Sequence, residues 1–327
     1  MSTFPIRLSA GIAALLAVAP AAENSAPSVQ LAEPGPHAFA SVDKLVLHDA
    51  RRDKDLQLRI TYPKEGDACP LIIWSHGAHG SKDHYQPIIK HWASHGYIVI
   101  QPTHSDSFAL GVKPGDPATF RDWPSRPADI SFVIDSLNEI ETKTTALKGR
   151  IDHQRIGVGG HSFGANTAQL IGGAKAFPGG GRGAEKSFAD PRVVAIMLLS
   201  GQGPGEMLTV KSWENLKGPM FVMTGSADGP TRTGEPAVWR KKPYELSPPG
   251  DKYLVWVEGL DHGYGGITGL NVNPRNKSNP DHVVWTKIAT LAFWNAYLRE
   301  NADEAKAWLC SEKLTELSKG AVTVSRK

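Results

Sequence analysis

Residues 155–171 read RIGVGGHSFGANTAQLI, and this stretch decides the fold. Residues 155–159 have a short strand pattern, residues 160–164 form a G-x-S-x-G motif around Ser162, and residues 163–171 favour a helix. Glycines on both sides of the serine allow a tight turn that places its hydroxyl at the end of the strand. The stretch therefore predicts a strand, a nucleophile turn and a helix, with a glycine-rich turn and an incidental serine as the alternative.

Strand and helix patterns alternate along the rest of the chain. Continuous apolar runs, typical of buried parallel strands, occupy residues 71–74, 97–100, 193–199, 220–223 and 253–257, and residues 56–62 alternate like a half-exposed strand. Helix patterns occupy residues 84–95, 127–141, 163–172 and 281–299. This order predicts an α/β protein with a mostly parallel, doubly wound sheet flanked by helices and an antiparallel N-terminal edge.

A serine nucleophile needs a base, and the base needs a carboxylate that orients it. When the serine lies in such a turn, the acid and then the histidine follow it on loops after later strands. Asp228 follows the run at 220–223, and His262 follows the run at 253–257. These positions predict a Ser162, Asp228 and His262 triad. Glu206 and Asp261 are the competing acids, and Asp228 is alternatively a turn residue before Gly229.

The turn after the run at 71–74 has the composition of an oxyanion hole. His76-Gly77-Ala78-His79-Gly80 lets the backbone turn inward, so that the N–H groups of Ala78 and Phe163 meet around one oxygen. His76, His79 and His84 also suggest a metal site, but their spacing matches no metal signature. We therefore expect no metal at this turn.

These motifs together resemble the α/β-hydrolase superfamily, and within it the branch of platelet-activating factor acetylhydrolase-like and dienelactone hydrolase-like proteins. The resemblance spans most of the chain, in the order 76–80, Arg126-Pro-Ala-Asp129, 160–164, 199–205, 223–228 and 261–263. Dienelactone hydrolases proper have cysteine where this chain has Ser162. The resemblance implies the α/β-hydrolase fold and triad roles for Ser162, Asp228 and His262, and it does not choose an acyl group or an alcohol.

The expected activity is hydrolysis of a small-molecule or lipid-like carboxylic ester through an acyl-enzyme, without a cofactor or metal. Phe108, Trp123 and Tyr264 lie in loops expected near the catalytic face, where they either form apolar pocket walls or pack under the loops. A serine peptidase would use the same triad, but the chain has no room for the large extra domain that many such peptidases carry. A catalytically silent binding protein is the third alternative.

Composition limits the partners. The 327 residues are 40% hydrophobic and 21% charged, with a formal net charge of +3 and a mean hydropathy of -0.28. These values are typical of a globular protein, and they lack the concentrated positive charge that nucleic-acid binding requires. We therefore expect a small-molecule substrate and no nucleic-acid partner.

The N-terminus predicts export. Arg7 precedes an apolar run at 8–18 that ends in small residues, as in a secretory signal peptide, and the run is too short to span a bilayer. We expect a signal peptide at 1–22, a flexible segment at 23–41, a catalytic domain at 42–327 and a periplasmic or extracellular location. Export permits a disulfide between Cys69 and Cys310, and two separate buried thiols are the alternative.

Overall fold

The computed structural model describes residue 1 and residues 31–116, 121–177, 182–230, 233–269, 277–300 and 302–327. Apart from Met1, the predicted signal peptide lies outside the described residues, as do residues 23–30 of the segment that follows it. The first strand begins at Phe39, so the last three residues of the segment 23–41 that was predicted to be flexible belong to this strand.

The described residues form one sheet with the strand order β1-β2-β4-β3-β5-β6-β7-β8-β9. The strands are β1 (Phe39–Asp49), β2 (Lys54–Pro63), β3 (Cys69–Ser75), β4 (Ile98–Pro102), β5 (Ile151–His161), β6 (Val193–Leu199), β7 (Met220–Ala227), β8 (Lys252–Asp261) and β9 (Val322–Arg326). Pairing is parallel from β4 to β8 and antiparallel where β1, β2 and β9 join the edges. The predicted α/β-hydrolase fold is confirmed.

Helices cover both faces of this sheet. They are α1 (Gln86–Ser94), α2 (Ser125–Asp135), α3 (Leu137–Lys143), α4 (Phe163–Ile171), α5 (Lys242–Leu246), α6 (Pro280–Leu298), α7 (Asp303–Leu309) and α8 (Lys313–Leu317). None of the helices in the described ranges combines the length and apolarity that crossing a bilayer requires.

The buried apolar residues form two clusters, one on each face of the sheet. Alternate side chains of a strand point to opposite faces, and β3 shows this directly. Leu71 and Ile73 belong to the cluster that includes residues of α2 and α4, whereas Ile72 and Trp74 belong to the cluster that includes residues of α1 and α6. Burial on both faces explains why the central strands are continuous apolar runs.

The structure differs from the sequence patterns in one helix and one strand. The helix predicted over 127–141 is two helices, because the backbone leaves helical geometry at Ser136. The edge strand β9 was not predicted, since a five-residue strand with exposed polar positions gives little pattern. The helix pattern at 281–299 is confirmed as α6, in which Val284 is exposed at 38%.

Cys69 and Cys310 are both free, so the structure has no disulfide between them. Cys69 begins β3, and Cys310 lies beside the Tyr253 hydroxyl of β8 at 3.8 Å. Strands β5, β6 and β7 separate β3 from β8. With neighbouring strands about 4.8 Å apart, the cysteines exceed the roughly 7 Å Cα separation that a disulfide tolerates.

Candidate active site

Ser162 occupies a strained turn between β5 and α4. Its backbone has φ 55° and ψ −115°, a conformation that a residue with a side chain rarely adopts. A side chain at Gly164 would collide with the carbonyl oxygen of Ser75, and one at Gly160 would collide with the backbone of Gly164. The glycines of the motif are therefore required by close backbone approach. Ser162 lines a pocket at the carboxyl ends of the parallel strands.

Asp228 and His262 meet at the same edge of the sheet. Asp228 directly follows β7 and His262 directly follows β8, and β7 and β8 are neighbouring parallel strands. His262 Nδ1 lies 2.7 Å from Asp228 Oδ1, and both residues line the pocket that contains Ser162. Because Nδ1 faces the carboxylate, Nε2 is the ring nitrogen left for proton exchange with a serine hydroxyl.

The Asp228 carboxylate is buried and has polar contacts on both oxygens. Arg240 Nε lies 3.0 Å from Oδ1, and the hydroxyl of Thr224 donates to Oδ2 at 2.8 Å. Burial alone would raise the pKa of Asp228, but Arg240 and His262 outweigh it and hold this pKa well below its usual range. Asp228 is therefore an anion wherever the protein is folded near neutral pH.

Ser200 contacts both Asp228 and His262, and the sequence reasoning missed it. It directly follows β6, is fully buried, and its hydroxyl donates to Asp228 Oδ2 while lying 3.1 Å from His262 Nδ1. Its backbone has φ 58°, and its N–H donates to the Met223 carbonyl at 2.9 Å. The available signal was its place directly after a buried strand, at the same sheet edge as the other site residues.

Three N–H groups in the turn after β3 are hydrogen-bonded within the described residues. Gly77 N–H donates to the Tyr85 hydroxyl at 2.9 Å, His79 N–H donates to Asp106 at 3.0 Å, and Gly80 N–H donates to the Gly77 carbonyl at 3.1 Å. Ala78 N–H forms no hydrogen bond to the described residues, and Ala78 lines the pocket together with Phe163. Phe163 is the first residue of α4, so its N–H lies at the positive end of the helix dipole.

His161 lies between this turn and His262. Its ring lies 4.5 Å from the His262 ring, and its Nδ1 lies 3.0 Å from the same Tyr85 hydroxyl that accepts from Gly77. Burial holds the pKa of His161 well below its usual value, and the neighbouring His262 acts in the same direction. His161 is therefore an uncharged residue that packs against the His262 ring.

The three predicted pocket aromatics lie in different places. Trp123 lines the pocket and packs edge-on against Phe188, with the two ring centres 5.4 Å apart. Phe108 does not line it, because its ring stacks on His79 at 4.2 Å and is 36% exposed. Tyr264 is fully buried, and its hydroxyl donates to the Met223 carbonyl at 2.6 Å. Tyr264 therefore packs beneath the site.

The competing acids lie away from the His262 ring nitrogens. Glu206 is exposed and lines the pocket without a hydrogen bond to His262. Asp261 accepts the N–H groups of Gly263 at 2.9 Å and Lys277 at 2.7 Å, so it stabilises the loop.

The three histidines of the first turn have separate contacts. His76 Nδ1 lies 2.7 Å from the Gly77 carbonyl, and His79 Nδ1 lies 3.2 Å from the Asp106 carbonyl. His84 Nδ1 accepts the N–H of Ser81 at 3.0 Å. Within the described ranges no group of three His, Cys, Asp or Glu side chains is arranged to hold a metal ion.

Residues 35–174 match the family model of chlorophyllase. The matched range contains the turn after β3 and Ser162, whereas Asp228 and His262 lie beyond it. No curated protein matched the sequence. The similarity to the chlorophyllase family, together with the sheet topology, implies an ester hydrolase on the α/β-hydrolase fold.

Proposed function

We propose that this protein is an exported serine hydrolase that cleaves carboxylic esters through Ser162, His262 and Asp228. The observation that carries the proposal is the 2.7 Å contact between Asp228 Oδ1 and His262 Nδ1, in the pocket that Ser162 also lines. A buried carboxylate on Nδ1 is the arrangement that prepares a histidine to accept a serine proton on Nε2. The similarity to the chlorophyllase family supports ester chemistry.

In the proposed reaction, Ser162 Oγ attacks the ester carbonyl carbon while His262 Nε2 takes the hydroxyl proton. The negative charge on the carbonyl oxygen is bound by the N–H groups of Ala78 and Phe163. His262 then returns the proton to the leaving alcohol as the carbon–oxygen bond breaks, which leaves an acyl-serine. A water molecule, activated by His262, releases the acid and restores Ser162.

The pocket suits a larger ester than a simple acetate. Its volume is about 1230 Å³, above the roughly 300–1,000 Å³ that small-molecule sites occupy. Apolar Trp123 and Met207 share the lining with charged Arg121 and Glu206. We therefore propose a small-molecule or lipid-like ester with both apolar and polar parts. The motif order supports the acetylhydrolase-like and dienelactone hydrolase-like branch.

A fluorophosphonate probe tests the nucleophile. The wild type should be labelled, Ser162→Ala should not, and Ser200→Ala should still be labelled because its buried hydroxyl is not the reacting group. Ser162→Ala should also lower kcat by about 10⁴–10⁶ while the protein still folds, since only the nucleophile is removed. Labelling that survives Ser162→Ala would contradict the proposal.

A substrate panel separates the remaining functions. p-Nitrophenyl esters of increasing chain length should be hydrolysed far faster than peptide amides. Faster amide cleavage would indicate a peptidase, and a protein that is folded but inert towards both the panel and the probe would be a binding protein. Export is tested separately, because Leu15→Arg should block signal cleavage and retain the uncleaved chain in the cytoplasm.

A further inference from the structure

The motif Arg126-Pro-Ala-Asp129 takes no part in the proposed chemistry, yet both of its charged side chains are buried. Arg126 is 1% exposed and Asp129 is 0% exposed. They lie three residues apart in α2, so they project from the same side of that helix. A buried charge is strongly unfavourable unless it is paired and hydrogen-bonded. The partners of these two residues therefore indicate what the motif does.

Arg126 contacts both segments that supply the proposed oxyanion donors. Its Nη1 donates to the His76 carbonyl at 2.7 Å, and its Nη2 donates to the Gly77 carbonyl at 3.3 Å. The guanidinium also lies 4.4 Å from the centre of the Phe163 ring. One side chain thus touches the two residues before Ala78 and the first residue of α4.

Asp106 extends this contact to the residue after Ala78. Arg126 Nε donates to Asp106 Oδ1 at 2.9 Å and Nη2 donates to Oδ2 at 2.8 Å, while Oδ2 also accepts the N–H of His79 at 3.0 Å. Arg126 and Asp106 together therefore bind the two carbonyl groups before Ala78 and the N–H group after it. This restraint orients the peptide whose N–H remains available to the pocket.

Asp129 holds the end of the strand from which the turn starts. Its Oδ2 lies 2.8 Å from His104 Nδ1, and His104 Nε2 lies 2.9 Å from the hydroxyl of Ser75, the last residue of β3. These three residues form a serine, histidine and aspartate series, but each is fully buried and cannot meet a substrate. The His104 N–H further donates to His76 Nε2 at 3.0 Å.

We propose that Arg126, paired with Asp106, is a positioning residue that fixes the Ala78 and Phe163 N–H groups relative to each other, and that Asp129 anchors the same turn through His104. This proposal rests on the proposed function. In the transition state the two donors must converge on one oxygen, and a displacement of about 1 Å can cost roughly 10²-fold in rate. The single ammonium group of a lysine cannot bind both carbonyl groups and both Asp106 oxygens as the guanidinium does.

Arg126→Lys tests the proposal because it keeps the buried charge. We expect kcat to fall about 10²-fold with KM changed less than about threefold, since the lost interaction acts on the transition state. The affinity for a trifluoromethyl ketone, whose adduct carries an oxyanion, should fall by about the same factor as kcat/KM. Arg155→Lys is the matched control, because Arg155 is paired with Asp152 at the other end of β5.

Hydrogen–deuterium exchange gives a second measurement that does not depend on activity. Amides of residues 76–80 should exchange faster in Arg126→Lys than in the wild type, and Arg155→Lys should leave them unchanged. If Arg126→Lys does not fold, Asp106→Asn serves in its place, because it retains Arg126 and removes the negative charge and one of the two acceptor oxygens that Arg126 and the His79 N–H share.

Three results would overturn the proposal: a folded variant with wild-type kcat, a reduced kcat with unchanged inhibitor affinity, or unchanged exchange at residues 76–80. A wild type without Ser162-dependent ester hydrolysis would instead contradict the proposed function. In that case the exchange comparison still decides whether Arg126 fixes the turn.

Discussion

Asp228→Asn is the substitution that examines the proposed acid most directly. Asp228 Oδ1 faces His262 Nδ1 at 2.7 Å and Arg240 Nε at 3.0 Å, whereas Oδ2 faces the hydroxyls of Ser200 and Thr224. A guanidinium only donates hydrogen bonds, but a hydroxyl donates or accepts. The asparagine should therefore turn its oxygen towards Arg240 and its NH2 group towards the two hydroxyls.

This orientation preserves the His262 tautomer and removes the negative charge. The imidazolium that forms in the transition state then loses an attraction of about 4 kcal/mol, from unit charges about 4 Å apart at an effective dielectric constant near 20. That loss corresponds to about a 10³-fold decrease in kcat. Asparagine with its NH2 group towards His262 would instead force the wrong tautomer, for which a loss near 10⁴-fold is typical.

The assay is kcat for a p-nitrophenyl ester over a range of pH. Glu206→Gln and Asp261→Asn are the matched controls, and each should lose less than about tenfold. If either control loses more than Asp228→Asn, the proposed triad has the wrong acid.

The remaining predictions concern the oxyanion turn, the thiols and acid stability. Ala78→Pro deletes the N–H and should lower kcat by about 10²–10³, provided that the variant melts cooperatively; full activity in a folded variant would place the oxyanion hole elsewhere. Thiol titration of the denatured, unreduced protein should detect both Cys69 and Cys310, and a reductant should leave Tm unchanged; a crosslinked peptide would refute this.

Burial alone would raise the pKa of Asp129, but His104 and Lys54 lower it from 3.8 to about 2. The stabilising effect of its ionisation is therefore complete above about pH 4 and is lost as the pH falls towards 2. The difference in unfolding free energy between the wild type and Asp129→Asn, measured by urea denaturation, should shrink over this range. A constant difference would contradict the assignment.

The sheet was predictable because its central strands are buried on both faces. Strands β3, β4, β6, β7 and β8 each contain an apolar run that no helix period explains, and helices between the strands require parallel crossovers. The two errors have different local causes. β9 is short and half exposed at the sheet edge, and the break at Ser136 depends on local backbone geometry that hydrophobic periodicity does not encode.

The candidate triad was placed by topology, since parallel strands end at one edge of the sheet. Ser162, Asp228 and His262 directly follow β5, β7 and β8, and this position was enough to predict that they lie close together. Ser200 also follows a strand, but a serine in a glycine-rich loop gives no chemical signal until its contacts with Asp228 and His262 are known. Buried polar contacts of this kind arise from tertiary packing and leave no periodic pattern.

Arg126 and Arg240 have the same kind of contacts, which could not be predicted from the sequence. Arg240, from the 3₁₀ helix at Ala237–Lys241, donates to the Ser200 carbonyl at 2.9 Å and lies beside the Asp228 carboxylate. Arg126 likewise donates to the His76 carbonyl and the Asp106 carboxylate, on the other side of Ser162. Strand-end loops carry carbonyl groups that no neighbouring strand can pair, and a buried guanidinium satisfies several of them while its charge is neutralised by a carboxylate. Two loops that must hold polar groups away from water therefore each require an arginine from outside the sheet.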